Sequence, residues 1–163
     1  MRVHVAPDLA IAARQRISRS PEWPRVERAH LAIQPRCACC AEGESPKGGE
    51  QVHHIIAFHI CIALGRPDLD LDRRNLVTLC QNEPGKPAQD HHLLVGHLDD
   101  FESMNLAVLE DAAGPYHALT AAQLRASPTW KAAVRMRTKP LAEMTELEKQ
   151  QLAQVMNLRC PRR

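Results

Sequence analysis

Large aromatic side chains are scarce in this chain of 163 residues, since Phe, Trp and Tyr together make up only 3% of it. The core must therefore rely on Leu, Ile, Val and Ala rather than on large rings. A small domain of this kind benefits from an additional link, such as a bound metal ion. The same scarcity argues against a protein that binds single strands by stacking bases on aromatic rings.

Long apolar runs are also missing. The longest, Ile55 to Leu64, is too short to cross a bilayer and contains His59. Asp8 interrupts the N-terminal stretch that an export signal would need to be apolar. We therefore expect a soluble, cytoplasmic protein with no membrane partner. The sequence has no internal repeat or low-complexity tract, and its length suits one compact core rather than two large domains.

The net charge of +2 hides a strong segregation of charge along the chain. Residues 1–36 carry seven Arg/Lys and three Asp/Glu, residues 37–130 carry six and thirteen, and residues 131–163 carry eight and three. The balances are +4, −7 and +5. Basic flanks around an acidic centre fit a protein whose flanks touch phosphates while its centre works through cations. Solvated helix faces would give the same pattern.

Three of the six cysteines crowd together at Cys37, Cys39 and Cys40. Without an export signal, such a cluster suits a metal better than disulfides. Thiolates at Cys-x-x-Cys spacing are suited to holding Zn²⁺, and paired imidazoles with a distant Asn and His can hold a second, catalytic ion beside a general base. The chain supplies these further residue types in the order His53, His54, Asn75, Cys80, His91, His92, His97.

Helix and strand signals place these residues on elements. A helix is predicted from about Pro21 to Gln34, with Ser20 as its N-cap. Short apolar segments predict strands, and Pro, Gly and Asp predict loops between them. A helix should restart near Asp90, which can cap it, and a capping box at Thr145 should open the last helix. The strands are predicted at 51–56 and 75–80, the loops at 63–74 and 81–90, and the later helices at 120–125, 127–137 and 145–158.

In this order, the motifs resemble the HNH endonucleases of the ββα-metal, or His-Me finger, class. The resemblance runs from about Arg19 to Asn105. Its most specific stretches are residues 52–56, 69–80 and 91–98. The implied fold is α+β, with a small ββα-metal (HNH) core that carries a structural zinc site. That core would span residues 37–105, between a basic helical arm at 1–36 and a helical extension at 106–163 packed on the same domain.

The resemblance implies a metal-dependent endonuclease that hydrolyses DNA phosphodiester bonds. His54 would be the general base, because an imidazole takes up and releases protons near neutral pH. Asn75 would be the second catalytic residue, which orients His54 or braces the loop that carries it. His53 and His92 would bind the catalytic ion. Neighbouring strand residues point to opposite sides, so the end of the strand must twist for His53 and His54 to converge.

His97 is included as a further ligand of the catalytic ion. It follows His92 by five residues, which is about 140° around an ideal α-helix, so a shared ion is awkward unless the helix is distorted. Gly96 can end or distort the helix enough to bring His97 in. An all-histidine site lacks the carboxylate that Mg²⁺ usually prefers, so Mg²⁺, Mn²⁺, Ni²⁺ and Zn²⁺ are all candidates for the catalytic ion.

For the structural zinc ion, the resemblance implies a set of three cysteines and one histidine, in which His91 takes a position that is a cysteine in many relatives. Two alternatives stay open. Cys39 could replace one of the other two clustered cysteines, and Asp90 could compete with His91. The predicted set is Cys37, Cys40, Cys80 and His91.

The expected partner is DNA, double-stranded rather than single-stranded. Its phosphates would be contacted by arginines of the flanking helices. Two other classes of function remain open: a zinc-containing module that binds DNA without cutting it, and a zinc-containing protein-interaction domain. The predicted phosphate contacts are Arg14, Arg16, Arg19, Arg25, Arg28, Arg135 and Arg137.

Overall fold

The computed structural model describes residues 18–42, 49–81 and 89–162, and the structural statements below concern these residues. They form six helices and a sheet of two strands, which is an α+β arrangement. The strands are β1, Glu50–His54, and β2, Leu76–Cys80. The helices are α1, Trp23–Ile33, α2, Phe58–Ala63, α3, Val108–Ala113, α4, Ala121–Ala126, α5, Pro128–Arg135, and α6, Glu146–Arg159.

The two strands pair in antiparallel fashion, with Glu50 opposite Cys80 and His54 opposite Leu76. A lone two-stranded sheet is at best marginally stable in water, so it must be covered. On one side, Trp23 of α1 packs against Val52 and Leu76. On the other side, the sheet packs against a single π-helical turn, His92–Gly96, whose Leu94 and Val95 join Val77 and Leu79 in the main apolar cluster.

The helix predicted at 21–34 is present as α1, but it begins two residues later than expected. Glu22, not Ser20, occupies the N-cap position, and Pro24 lies in the first turn. The Ser20 hydroxyl still accepts a hydrogen bond from the Glu22 amide at 3.2 Å. The predicted helix boundary was therefore wrong by about half a turn, because Pro24 suits the first turn as well as Pro21 does.

The C-terminal helices begin where their capping residues predict. Thr120 and Thr145 each form a complete capping box, and Ser127 caps α5. Helices α2 and α3 were not predicted. Each has six residues and no side-chain cap, so neither carries a sequence signal for its start. The loop predicted at 63–74 contains two 3₁₀ turns, Pro67–Asp70 and Arg73–Asn75.

Residues 106–163 had been expected to pack on the same domain as the sheet. Leu152 and Met156 of α6 share an apolar cluster with Ile56, Ile60 and Leu69. In the main cluster, Leu124 and Trp130 of α4 and α5 pack with the sheet and the π-helical turn, and the Trp130 indole donates to Leu94 O at 2.7 Å. The backbone that follows β2 is therefore held in place by the C-terminal helices. None of the described helices is long and apolar enough to span a membrane.

Candidate functional site

Four potential metal ligands from three segments meet beside the sheet. Two come from the turn after α1, one from the last residue of β2 and one from the residue before the π-helical turn. All four are buried, and their ligand atoms lie within 4.8 Å of one another. This group could hold a metal ion. We call it the Cys–His cluster, and it consists of Cys37, Cys40, Cys80 and His91.

The distances within the Cys–His cluster match a tetrahedral ion of the size of zinc. Nδ1 of His91 lies 3.5, 3.4 and 3.3 Å from the sulfurs of Cys37, Cys40 and Cys80, and the Cys40 and Cys80 sulfurs are 3.8 Å apart. Bonds of about 2.3 Å to sulfur and about 2.0 Å to nitrogen would place sulfur about 3.5 Å from nitrogen and about 3.8 Å from sulfur. The four side chains therefore need almost no rearrangement to bind such an ion.

The orientation of the His91 ring also fits metal binding. Its Nε2 lies 2.8 Å from Leu119 O, which only accepts hydrogen bonds, so Nε2 carries a proton and Nδ1 is the nitrogen that faces the sulfurs and would bind a metal. Burial lowers the pKa of His91, but hydrogen bonds to Cys37, Cys39 and Cys80 outweigh it and raise the pKa to about 12. Hydrogen bonds from Cys40 and Cys80 lower the pKa of Cys37. The same kind of contact raises the pKa of the Cys40 thiol, so a bound cation would have to displace the protons that the cluster still holds.

The two alternative ligands lie outside the Cys–His cluster. The Cys39 thiol donates to Tyr116 O at 2.9 Å, and burial raises the pKa of that thiol. Asp90 has a positive φ of 55° just before the π-helical turn, and its carbonyl accepts from the Leu94 amide. Neither residue is among the four whose ligand atoms converge.

A second group of potential ligands lies on the π-turn side of the sheet. His53, His92 and His97 are buried, and their ligand atoms also lie within 4.8 Å of one another. The His53 ring is 5.1 Å from that of His92 and 4.7 Å from that of His97, and the other two rings are 5.0 Å apart. We call these three residues the tri-histidine cluster.

The π-helical turn explains how His97 reaches this cluster. In an α-helix, five residues place two side chains about 140° apart. In a π-helix the hydrogen bonds run from i to i+5, which brings residues five apart nearly into line. The turn His92–Gly96 is of this type, so His92 and His97 lie on the same side. The distortion expected near Gly96 is present, although its π-helical form was not predicted.

The tri-histidine rings are oriented so that one nitrogen of each can serve as a ligand. Nδ1 of His92 is 2.9 Å from Gln81 Oε1, and Nδ1 of His97 is 2.8 Å from Ser103 O. Both partners are acceptors, so Nδ1 carries the proton in each ring and Nε2 carries the lone pair. Both ring nitrogens of His53 are buried without a hydrogen-bond partner in the described part of the chain. Burial, followed by His97 and His92, holds the pKa of His53 well below its usual range, so this ring is neutral and able to bind a cation.

His54 lies in a different environment, on the side of β1 that α1 covers. Its Nε2 is 3.0 Å from Asp70 O and 3.2 Å from the Asp70 carboxylate, while Arg19 Nη2 is 3.2 Å from its Nδ1. Arginine only donates, so Nδ1 carries the lone pair and Nε2 the proton. Trp23 stacks on the ring with centroids 4.7 Å apart. The strand end therefore does not twist enough to bring His53 and His54 together, which corrects our expectation that they converge.

Asn75 braces the loop that leads away from His54. Its Oδ1 accepts from the Ile56 amide at 2.8 Å, and its Nδ2 donates to Ile56 O and Leu69 O, each at 3.1 Å. Among the described residues, its hydrogen bonds go to this backbone and to the Cys61 sulfur rather than to the His54 ring. Asn75 was predicted either to orient His54 or to brace the loop that carries it. Its hydrogen bonds fit the second role.

The predicted phosphate contacts are dispersed. Arg14 and Arg16 lie outside the described residues. The Arg19 guanidinium lies over the Trp23 ring, 4.0 Å from the ring centroid, and contacts His54. Arg25 is exposed and pairs with Glu22. The others are Arg28, which is exposed on α1, and Arg135 and Arg137 near the end of α5.

Several residues of these sites were not predicted. Asp70 and Leu119 act through their backbone carbonyls, and a sequence carries no signal for such contacts. Phe101 covers the tri-histidine cluster, with its ring 5.0 Å from that of His97. An aromatic residue four positions after His97, in a chain so poor in rings, was the one signal that could have indicated this role.

Comparison with known proteins found no match: no protein-family model, curated protein or solved structure matches this chain. The resemblance to HNH endonucleases therefore rests on the motifs alone, and a function must be argued from the geometry of the two clusters and His54.

Gly96 gives a direct test of the tri-histidine geometry. A Cβ atom at this position would lie 2.9 Å from His53 Cε1 and 3.0 Å from Leu79 Cδ1. We expect Gly96→Ala to displace the His53 ring, weaken binding of an ion at the tri-histidine cluster by at least about tenfold, and cost about 1–3 kcal/mol of stability. Isothermal titration with Ni²⁺ and thermal unfolding would measure both effects. Unchanged Ni²⁺ affinity would contradict the assignment of His53 as a ligand.

Proposed function

We propose that this protein is a metal-dependent endonuclease of the HNH type that hydrolyses phosphodiester bonds in double-stranded DNA. The observation that carries the proposal is the convergence of three buried imidazoles at a site that could hold a metal ion. His54, which directly follows one of them in the chain, has a fixed tautomer with its lone pair on Nδ1. Metal-assisted hydrolysis requires a cation and a general base, and consecutive residues of β1 supply both, with their side chains on opposite sides of the sheet.

We assign Zn²⁺ to the Cys–His cluster. Three thiolates and one imidazole, with no further protein ligand, form a closed tetrahedral set of the kind that structural zinc prefers. The hydrogen bond from His91 to Leu119 O fixes the ring as outer contacts do at zinc sites. This ion would join the turn after α1 to the sheet and the π-helical turn, and so would hold the scaffold of the second site.

The second cation would bind at the tri-histidine cluster. When bound, a divalent ion there would stabilise the charge that develops on the phosphate and on the leaving oxygen. Neutral imidazoles suit Ni²⁺, Zn²⁺ and Mn²⁺ better than Mg²⁺, which usually binds through carboxylates. We therefore expect activity to be lower with Mg²⁺ than with the transition metals.

His54 would take the proton from the attacking water at Nδ1. The Asp70 carbonyl holds Nε2–H, which fixes the tautomer, and the adjacent Asp70 carboxylate stabilises the positive charge that the ring gains. Arg19 Nη2 lies 3.2 Å from Nδ1, so the guanidinium must move before water can bind there. A phosphate is the ligand that draws a guanidinium away most effectively, because it accepts two hydrogen bonds in the geometry that arginine offers.

One observation favours a non-catalytic alternative. The three histidines are 0%, 2% and 1% exposed, and fully enclosed sites are typical of structural rather than catalytic ions. On this alternative, the protein is a two-ion module that binds DNA or another protein without cutting, and His54 only completes the packing between α1 and the sheet. The basic flanks would then serve binding alone.

A plasmid assay separates these functions. Purified protein is incubated with supercoiled plasmid and Mg²⁺, Mn²⁺, Ni²⁺ or Zn²⁺, with a chelator as control. We expect nicked or linear plasmid to form with at least one ion and not with the chelator. A gel shift without cutting under any of these conditions would favour the DNA-binding module, and neither binding nor cutting would favour the protein-interaction domain.

A further inference from the structure

The tri-histidine cluster is closed by the segment that follows it. The Phe101 ring lies edge-on to His92 and His97, with centroids 5.8 and 5.0 Å away. The three histidines are almost fully buried, so an ion can enter or leave the cluster only if a covering segment moves. Access to the cluster therefore requires residues 98–104, which carry Phe101, to move.

The backbone of residues 98–104 begins in an unfavourable conformation. Leu98 and Asp99 have φ values of 50° and 68°. Two successive non-glycine residues in the left-handed region are uncommon, and the bulky Leu98 is disfavoured there. Such strain persists only where surrounding contacts enforce it, and it would be relieved by a change of conformation.

The contacts that enforce this conformation come mainly from the segment after α5. Arg137 donates to Leu98 O at 3.1 Å and pairs with the Asp100 carboxylate at 3.4 Å. Thr138 Oγ1 accepts from the Met104 amide at 3.0 Å. The Ser103 hydroxyl donates to His97 O, which links the C-terminal end of segment 98–104 to the tri-histidine cluster. The Asp100–Arg137 pair is about one-third exposed, so a ligand from solvent can compete for it.

Arg137 also lines a surface cleft of about 540 Å³. The charged residues around the cleft are three basic ones, Arg135, Arg137 and Lys139, and two acidic ones, Asp100 and Glu143. Lys139 is paired with Glu148 at 2.8 Å, so an anion would bind through the two arginines, whose fork suits the two free oxygens of a phosphodiester. An anion bound to Arg137 would take the place of Asp100 as the partner of the guanidinium.

We propose that this cleft is a phosphate-binding site and that a phosphate bound there opens a lid, residues 98–104, over the tri-histidine cluster. The phosphate replaces Asp100 at Arg137, Asp100 is released, and the strained backbone moves Phe101 off the two histidines. The identity of the ligand as a DNA phosphate rests on the proposed function, whereas the lid itself does not.

The lid is tested by the rate at which Co²⁺, bound at the tri-histidine cluster of protein that already contains zinc, is released to a chromogenic chelator. We expect Phe101→Ala to speed release about tenfold or more, because two aromatic contacts are lost. Asp100→Asn should speed it about threefold, as expected for the loss of a partly exposed ion pair. The matched control is Glu143→Gln, which removes the other carboxylate of the cleft and should leave the rate unchanged. Equal rates in all four proteins would overturn the lid.

The phosphate trigger is tested in the same assay with inorganic phosphate as the probe. Release from the original protein should become faster as phosphate is added, while the Asp100→Asn rate should not respond. If phosphate speeds Co²⁺ release equally in the original protein and in Asp100→Asn, then phosphate acts on the ion directly. The proposal that phosphate opens the lid would then be wrong.

Hydrogen exchange at the amides of residues 98–104 provides a measurement that needs no ion in the tri-histidine cluster. It should be faster in Asp100→Asn and unchanged in Glu143→Gln. Exchange that is equally slow in all variants would again overturn the lid. If the lid opens as expected but no plasmid is cut, the proposed function fails and the lid stands.

Discussion

The Cys80→Ala protein is expected to lose its zinc ion and most of its folded structure. Cys80 ends β2 and supplies one of four converging ligand atoms, so its loss leaves the ion three-coordinate. A structural zinc site contributes roughly 10 kcal/mol or more of binding free energy, which is comparable with the whole stability of a small domain. Metal analysis and circular dichroism would measure the two losses.

Cys39→Ala is the matched control for this experiment. Cys39 is as buried as Cys80 and lies between two of the proposed ligands in the chain, but its thiol donates to Tyr116 O. We expect this variant to keep its zinc and to lose only about 1–3 kcal/mol, as for other small buried deletions. Full zinc content in Cys80→Ala, or loss of zinc in Cys39→Ala, would show that the ligands are assigned wrongly.

The second large effect is expected at His54. Removing a general base typically slows hydrolysis by about 10²–10⁴-fold, so His54→Ala should cut plasmid at a rate near that of the blank. Both metal ions should remain bound, because His54 is a member of neither cluster. The combination of lost cleavage and retained metal content, measured on one preparation, distinguishes a lost base from a lost ion.

Two further variants make this experiment specific. His53→Ala should lose both cleavage and the second ion, because His53 is one of the three converging imidazoles. His117→Ala, at an exposed position that belongs to neither cluster, should retain full activity. Cleavage by His54→Ala at the original rate would remove this residue from the mechanism, even if the metal sites are as described.

Local sequence signals predicted the elements that carry them. The capping box at Thr145 marked the start of α6, and the helices predicted at 120–125 and 127–137 begin as α4 and α5 after Thr120 and Ser127, whose side chains satisfy backbone amides within one turn. The six-residue helices α2 and α3 have no such cap and are held by tertiary packing instead. Their apolar residues, such as Ile60 and Val108, are buried but too few to display a helical period.

The composition of both metal clusters could also be predicted, because ligand chemistry depends on residue type and chain order. The structure brings together the two sets that the sequence analysis grouped. Their geometry could not be predicted in the same way. The π-helical turn that aligns His92 with His97 is a backbone distortion, and the orientation of each imidazole depends on carbonyls such as Leu119 O and Ser103 O. The position of His54 depends on Trp23 and Asp70, which are distant in sequence.

The most direct test of the central claim is anomalous diffraction from crystals of the protein grown with Zn²⁺ and soaked in Ni²⁺. We predict two separate metal peaks in each chain. One, from zinc, should lie among the ligand atoms of the Cys–His cluster, and the other, from nickel, should lie among those of His53, His92 and His97. A single peak at the Cys–His cluster, with the three histidines packed against one another and no ion between them, would contradict the account.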